Sequence, residues 1–395
     1  MATLPEATSP RSTNNAGGST KKPAAPHEPD PGNLTDEMLA RFDSRAATYD
    51  RENRFFDQDF EELRVAKYLL MPVPKQFGGP GLNLTEVCRA QRRLAYHAPA
   101  TALAVNMHLY WVGVAADLWN RGDTSLEWML RDAAAGEIFA AGHAESGNDI
   151  PVLLSSAKAE PVEGGYCFTG RKQFGSLTPV WTRFGVHGMD TSDPSHPKVV
   201  HAFMPRDNSD YIIKENWDVL GMRATRSDDT VIENAFIPNR YVVRVVLAGG
   251  AGIDAFLLSV FAWALLGFAN VYYGLAKRAL DKSIVSAKSK RSIALSRSMA
   301  YHPEVNTPSR KWSSSWNRSV HTWIVSRRTG RTESITEPHG PRRFLQPNTG
   351  PSKPAGGWWI WASTLPAGRE SSVLQATKGC CAMHVLAAFI PPILS

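Results

Sequence analysis

The composition of this 395-residue chain breaks at Asn306, and that break limits what the chain can fold into more than any other feature. From Asn306 to Ser395 there is no Asp, only three Glu (Glu333, Glu337, Glu370), and eleven Lys or Arg, from Arg310 and Lys311 to Arg369 and Lys378. Half of the 12 tryptophans fall there as well. The preceding residues hold 33 basic against 34 acidic side chains, so the formal net charge of +7 belongs to the last stretch alone. A basic chain ordinarily points to nucleic acid or an anionic membrane. A near-neutral foldable part argues against both.

The genetic code offers a test of that stretch. If the reading frame slips just after Val305, the last two bases of each intended codon become the first two of the codon read, and only the first base is free. Codons with a middle T encode apolar residues, so Trp312, Ser313, Ser314 and Trp316, which allow a first base T, report apolar positions in the other frame. NTPSRKWSSSWN then reads QHAVAEMVLELE, with its apolar positions at helical spacing. The continuation keeps a charge balance and periodicity that the present string lacks. Residues 306–395 are therefore expected to be an aberrant, out-of-frame tail.

The rest is organised in four parts. Residues 1–33 are rich in Pro, Ser, Thr, Gly and Asn without an apolar run, and read as a disordered leader with no secretory signal. Residues 34–137 carry helical periodicity: a stretch over 35–70 stopped by Pro72 and Pro74, the glycine-rich loop QFGGPGLN, two helices over 84–123 broken near Pro99, and one more over 126–137. Residues 138–247 change to short runs of Val, Ile, Tyr, Phe and Thr separated by turns, with a hairpin signal at Gly164–Gly165. This predicts a compact antiparallel β-barrel or sandwich. Residues 248–305 begin a helical bundle with an apolar helix over Ala251–Ala276 that runs on to about Lys282. That helix is long enough to span a bilayer. Asn270, Gly267 and Gly274 within it, and the lack of any other membrane-like feature, favour the buried helix of a bundle. The fold class is thus α+β, with an all-α first domain, an antiparallel β-barrel and a truncated helical third domain.

No internal repeat, Rossmann or Walker glycine pattern, or metal-ligand spacing occurs. Cys88, Cys167, Cys380 and Cys381 lack CxxC spacing and read as free thiols of a reducing cytoplasm. His97, His108 and His143 read as satisfied or solvated side chains, and the turn residues Glu145–Asn148 as an ordinary turn when taken alone.

Taken together and in order, several motifs resemble the acyl-CoA dehydrogenase superfamily over Thr35–Val305. MPVPKQFGGPGLNLTEV is similar to the loop after that family's second helix, and AGHAESGNDIP (Ala141–Pro151) resembles its TEPGAGSD signature. TGRKQFGSL (Thr169–Leu177) stands where the family has GxKxWITN, and WDVLGMRATRSDDTVIENAFIP (Trp217–Pro238) closely matches LGxRxSxTxxxxFxxVxVP.

The resemblance implies FAD, with FMN as the alternative. It implies contacts to the flavin from Gly142, His143, Ala144 and Glu145 on the pyrimidine side, and from Phe174, Gly175 and Ser176. Ser176 replaces the family's Thr near flavin N5, and Phe174 replaces its Trp as an aromatic wall. Asn148, at the family's Ser, and Arg223, Thr225 and Ser227 are implied on the substrate side. The implied reaction is α,β-dehydrogenation of an acyl-CoA, with an electron-acceptor flavoprotein or oxygen as partner. That reaction needs a carboxylate base within hydrogen-bond reach. Asp254 is the only acid in 245–280 and sits at the helix start, so no catalytic residue is assigned. The alternatives are a flavin-dependent monooxygenase of the same fold, which lacks that base, or an inactive remnant. Loss of the closing bundle is expected to impair activity and disrupt the family's homo-oligomer.

Overall fold

The computed structural model describes residues 32–249, 253–294 and 296–306; most of the expected leader and the tail from 307 lie outside the described residues. Thr35 opens helix α1 (Asp36–Glu52): its hydroxyl accepts the Met38 N–H, and Asp36 and Glu37 lie at the positive end of the helix dipole. Helix α2 (Asp57–Val65) follows, then the loop through Pro72 and Pro74. Helix α3 (Leu84–His97) begins with a capping box, in which Asn83 accepts from the Glu86 N–H and Glu86 accepts from the Asn83 N–H. Pro99 sits in the first turn of helix α4 (Pro99–Asn120), where its missing N–H is harmless. Helix α5 (Glu127–Ala134) completes the group. The helical elements and the break near Pro99 match the sequence expectation. Helix α4 is buried on almost every side, which explains its continuous apolar run.

Eight strands form one sheet: β1 (Phe139–Ala141), β2 (Lys158–Val162), β3 (Gly165–Gly175), β4 (Arg183–Asp190), β5 (Lys198–Pro205), β6 (Tyr211–Ile213), β7 (Asp228–Pro238) and β8 (Val242–Leu247). The order is β6-β7-β3-β2-β4-β5-β8, with β1 beside β4. The hairpin expected at Gly164–Gly165 joins β2 to β3, with Gly164 at φ +79°.

An antiparallel barrel was expected, and the sheet differs in two ways. The β1–β4 and β2–β4 pairs are parallel, the latter through the single pair Lys158↔Met189. The path ends on β6 and β8, which are not paired to each other, so closure is not seen. The cause is connectivity. β1 is fed by a helix and separated from β2 by a loop of 16 residues, so it need not form a hairpin.

Helix α6 (Ala255–Ser289) packs on α3 and α4. Glycines allow the close approach: a Cβ at Gly267 would meet Asn106 Oδ1 at 2.3 Å, and one at Gly274 would meet the Arg92 carbonyl at 2.4 Å. Trp263 Nε1 donates to Asp117 Oδ2 at 2.8 Å across the same seam. The helix is long and apolar enough to cross a membrane. Its inner face, Phe256, Leu257, Val260, Trp263 and Val271, is nevertheless buried against protein, while Leu258, Tyr272 and Val285 remain exposed. His108 joins helices to sheet. Its Nε2 lies 3.1 Å from the Leu69 carbonyl and its Nδ1 accepts the Phe139 N–H, a pattern that requires the neutral ring.

Candidate active site

The TGRKQFGSL segment forms the end of β3 and the turn after it. The β3–β7 register shifts between Lys172 and Gly175, which frees this end from regular pairing. Phe174 (φ +57°) and Leu177 (φ +68°) adopt left-handed backbone that non-glycine residues rarely take. The turn is held against the 3-10 turn Arg223–Thr225 by Leu177 N–H to Thr225 O (3.2 Å) and Thr178 N–H to Arg226 O (3.3 Å).

That docking builds a file of hydroxyls. Ser176 Oγ lies 2.8 Å from Ser227 Oγ, and Ser227 Oγ lies 2.7 Å from Thr225 Oγ1. Thr225 Oγ1 donates to the Met222 carbonyl at 2.8 Å. Thr225 is fully buried, while Ser176 keeps 6% of its surface. Beside the file, Phe174 meets Trp217 edge-on with ring centroids 6.0 Å apart. Trp217 is fixed in turn, its Nε1 donating to the Arg223 carbonyl and its backbone N–H to Asp228 Oδ1.

The Gly142–Glu145 stretch leaves β1 and meets this turn through the Gln173 N–H, which donates to Ala144 O at 2.8 Å. The Gly142 N–H is already engaged by the Gly185 carbonyl. The Glu145 side chain turns inward to a buried ion pair with Lys172. Burial pushes the Glu145 carboxyl up, but the Lys172 charge and bonds from Lys172, Ser155 and the Ser156 N–H outweigh it and hold the group below its usual range. Burial brings the Lys172 ammonium down to about 8 against the pull of Glu145. His187 accepts from Lys172 at Nδ1 (3.2 Å) and stacks on His201, with centroids 5.9 Å apart. Burial, then the Lys172 charge, holds His143 near 3 and His187 well below its ordinary value. His201 is also held near 3, by burial and then by His143 and Lys172. Among the described residues no group of three His, Cys, Asp or Glu is arranged to hold a metal.

The structure thus brings Ser176, Thr225 and Ser227 into one file beside Phe174 and Gly175. It does not bring Asn148 or Arg223 there as free groups. Asn148 uses its amide within its own loop, donating to Glu145 and to Leu154 O and accepting from the Ile150 N–H. Arg223 donates to Asp50 O, Asp218 and Val219 O, tying the turn to α1. Asp254 caps α6 by accepting the Leu257 N–H and pairs with Arg244. Sequence reasoning missed Lys172, His187 and Trp217. Lys172 was legible as the lysine of the GxKxW-like motif; His187 had no signal beyond an isolated polar residue in an apolar strand.

Comparison with known proteins agrees with this geometry. Residues 34–122 match the family described as Acyl-CoA dehydrogenase, N-terminal domain. An L-evernosamine nitrososynthase of Micromonospora sp. is 29% identical over 255 residues, covering 62% of this chain and 58% of that one. A dibenzothiophene monooxygenase of Mycolicibacterium goodii is 27% identical, covering 64% of this chain and 61% of its own. The chain therefore spans about three fifths of the length of these relatives. KijD3, solved with FMN and dTDP-3-amino-2,3,6-trideoxy-4-keto-3-methyl-D-glucose, superposes with a TM-score of 0.59 at 29% identity, covering 68% of this chain and 66% of that one. Residues 34–122 thus match the N-terminal domain of the acyl-CoA dehydrogenases, and over about two thirds of its length the chain is similar in sequence and fold to acyl-CoA dehydrogenase-like flavoenzymes.

Proposed function

We propose that the chain is a flavin-dependent oxidoreductase of the monooxygenase type, acting on a small molecule with reduced flavin and oxygen. The observation that carries this reading over acyl-CoA dehydrogenation is the state of the acids. Dehydrogenation needs a free carboxylate to take the α-proton. Among the described residues, the acids on the elements that build this site are engaged, Asp228 with Arg226, Asp229 with Arg171 and Glu145 with Lys172, and Asp254 at the start of α6 pairs with Arg244. The relatives named above as a nitrososynthase and a monooxygenase support the same reading.

The residues present fit a flavin. The outermost hydroxyl of the file, Ser176, is the one that keeps surface, and Phe174 with Trp217 offers an aromatic wall beside it. Phe174, Gly175 and Ser176, with the backbone of His143 and Ala144, would hold the ring. Bound there, flavin would supply two-electron redox chemistry. The chain's own groups bind and orient it: Ser176 presents its oxygen, and Arg223 and Asn148 hold the two flanking loops in place. Thr225 and Ser227, implied on the substrate side by the resemblance, stand behind Ser176 and support its hydroxyl. The free thiols Cys88 and Cys167 suit a reducing cytoplasm, and α6 reads as a core helix.

The frame slip after Val305 stands as part of the proposal, together with weakened flavin binding and a disrupted oligomer. Its support is the charge break at Asn306 and the exposed apolar residues of α6, which suit a further helical layer.

The test is anaerobic photometry. Bleaching of bound flavin by an acyl-CoA without oxygen would overturn the monooxygenase reading in favour of dehydrogenation. Oxygen consumption and a hydroxylated product on supply of reduced flavin are the expected result. Resequencing the gene across the Val305 codon tests the slip.

A further inference from the structure

Counting protons along the hydroxyl file gives it a direction. A carbonyl accepts and never donates, so the contact between Thr225 Oγ1 and Met222 O consumes the Thr225 proton. The Ser227–Thr225 contact must then use the Ser227 proton, and the Ser176–Ser227 contact the Ser176 proton. All three hydrogens point inward. The outermost oxygen, Ser176 Oγ, is left with lone pairs alone to offer outward. Reversal would need all three hydroxyls to turn together and Thr225 to leave Met222, whose carbonyl would keep only the Thr225 N–H at 3.1 Å. Thr225 and Ser227 are buried, so their hydroxyls would have to turn without access to bulk water.

We propose that Thr225 and Ser227 are positioning residues that make Ser176 a hydrogen-bond acceptor, and so make this site select reduced over oxidised flavin. The inference rests on the placement of flavin at Ser176 given above. The chemistry of the ring makes the direction matter. N5 of oxidised flavin carries a lone pair and asks for a donor; N5 of reduced flavin carries a hydrogen and asks for an acceptor. An inward-pointing file satisfies the reduced form and leaves the oxidised form to reverse the file. Neither hydroxyl needs to touch the ring.

Titration of the full chain with FMN and with photoreduced FMN under nitrogen gives the ratio of the two dissociation constants, read by fluorescence and by mobility. A net hydrogen bond corresponds to about a tenfold preference for reduced flavin. Thr225→Val releases the inner end and is expected to bring that ratio close to one, lowering the midpoint potential of bound flavin by about 30 mV. Thr225→Ser keeps the hydroxyl and is expected to restore the wild-type ratio, which separates proton direction from packing. Ser176→Ala removes the reporting oxygen, and Thr225→Val added to it is expected to have no further effect on the ratio. An unchanged ratio in Thr225→Val, with Ser176→Ala still altering affinity, overturns the directed file and leaves the flavin placement intact. No effect of Ser176→Ala on either form overturns the placement and the file together.

Discussion

Lys172 and Glu145 are both wholly buried at their side chains, and each is the other's charge partner. Removing one leaves an uncompensated charge in the interior, which costs about 3–5 kcal/mol. Glu145→Gln is therefore expected to lower the urea midpoint sharply. The paired replacement Glu145→Leu with Lys172→Met is expected to recover most of the loss, since apolar pairs of similar volume substitute well for buried ion pairs. A double variant no more stable than the single one would show that the Lys172 bonds to Ser155 and the His187 carbonyl matter more than the ion pair. Glu145 stands in the AESGND motif, and its acidity was plain from sequence. Its inward turn was not, because a turn residue and a buried partner of a lysine 27 positions on look alike along a chain.

At the scale of elements, the seam between α6 and the helical domain depends on side chains that are missing. Gly113 faces Trp263, where an added Cβ would come within 2.3 Å of the indole, and Gly274 faces the α3 backbone. Gly274→Leu is expected to push α6 off α3 and cost about 1–3 kcal/mol as overpacking. The readout is an earlier thermal transition followed by near-ultraviolet circular dichroism of the tryptophans. An equally large substitution at exposed Leu258 is expected to change little. Helix starts, the Pro99 break and the β2–β3 hairpin were legible because capping, proline and glycine effects act within a few residues. The parallel pairing of β1 with β4 was not, because it joins residues 139–141 to 183–185 through contacts no local pattern encodes.

At the scale of the whole molecule, burial keeps four histidines among the described residues neutral. His108 is pushed from 6.5 to about 4, His143 and His201 to about 3, and His187 well below. The unfolded chain takes up these protons below about 6.5 and the folded chain does not. Stability present above that pH is thus lost as pH falls, at about 1.4 kcal/mol per unit for each ring. Asp59, raised by burial to about 6 despite Arg45, opposes this below 6. The net expectation is a urea midpoint that declines steeply from pH 6.5 toward 4.5. A flat profile would show that the rings are solvated. At the same scale, a gene with its frame restored after Val305 is expected to yield a protein with a higher ratio of flavin to polypeptide and a larger assembly by light scattering. Equal flavin content in both forms would count against the frame slip as the cause of weak binding.

The sequence by itself determined the order of helical, strand and helical segments, the helix caps and breaks near Thr35, Asn83 and Pro99, the motifs that point to a flavin, and the break at Asn306. Each of these is written in spacing, composition or short-range stereochemistry. Only the tertiary structure decided that Ser176, Ser227 and Thr225 touch, that Lys172 closes on Glu145, and that Asn148 and Arg223 hold loops in place. Those facts depend on strands brought together from 51 or 27 residues apart. Where a hydroxyl's proton points, or which acid is free to act, follows from what stands next to it in space.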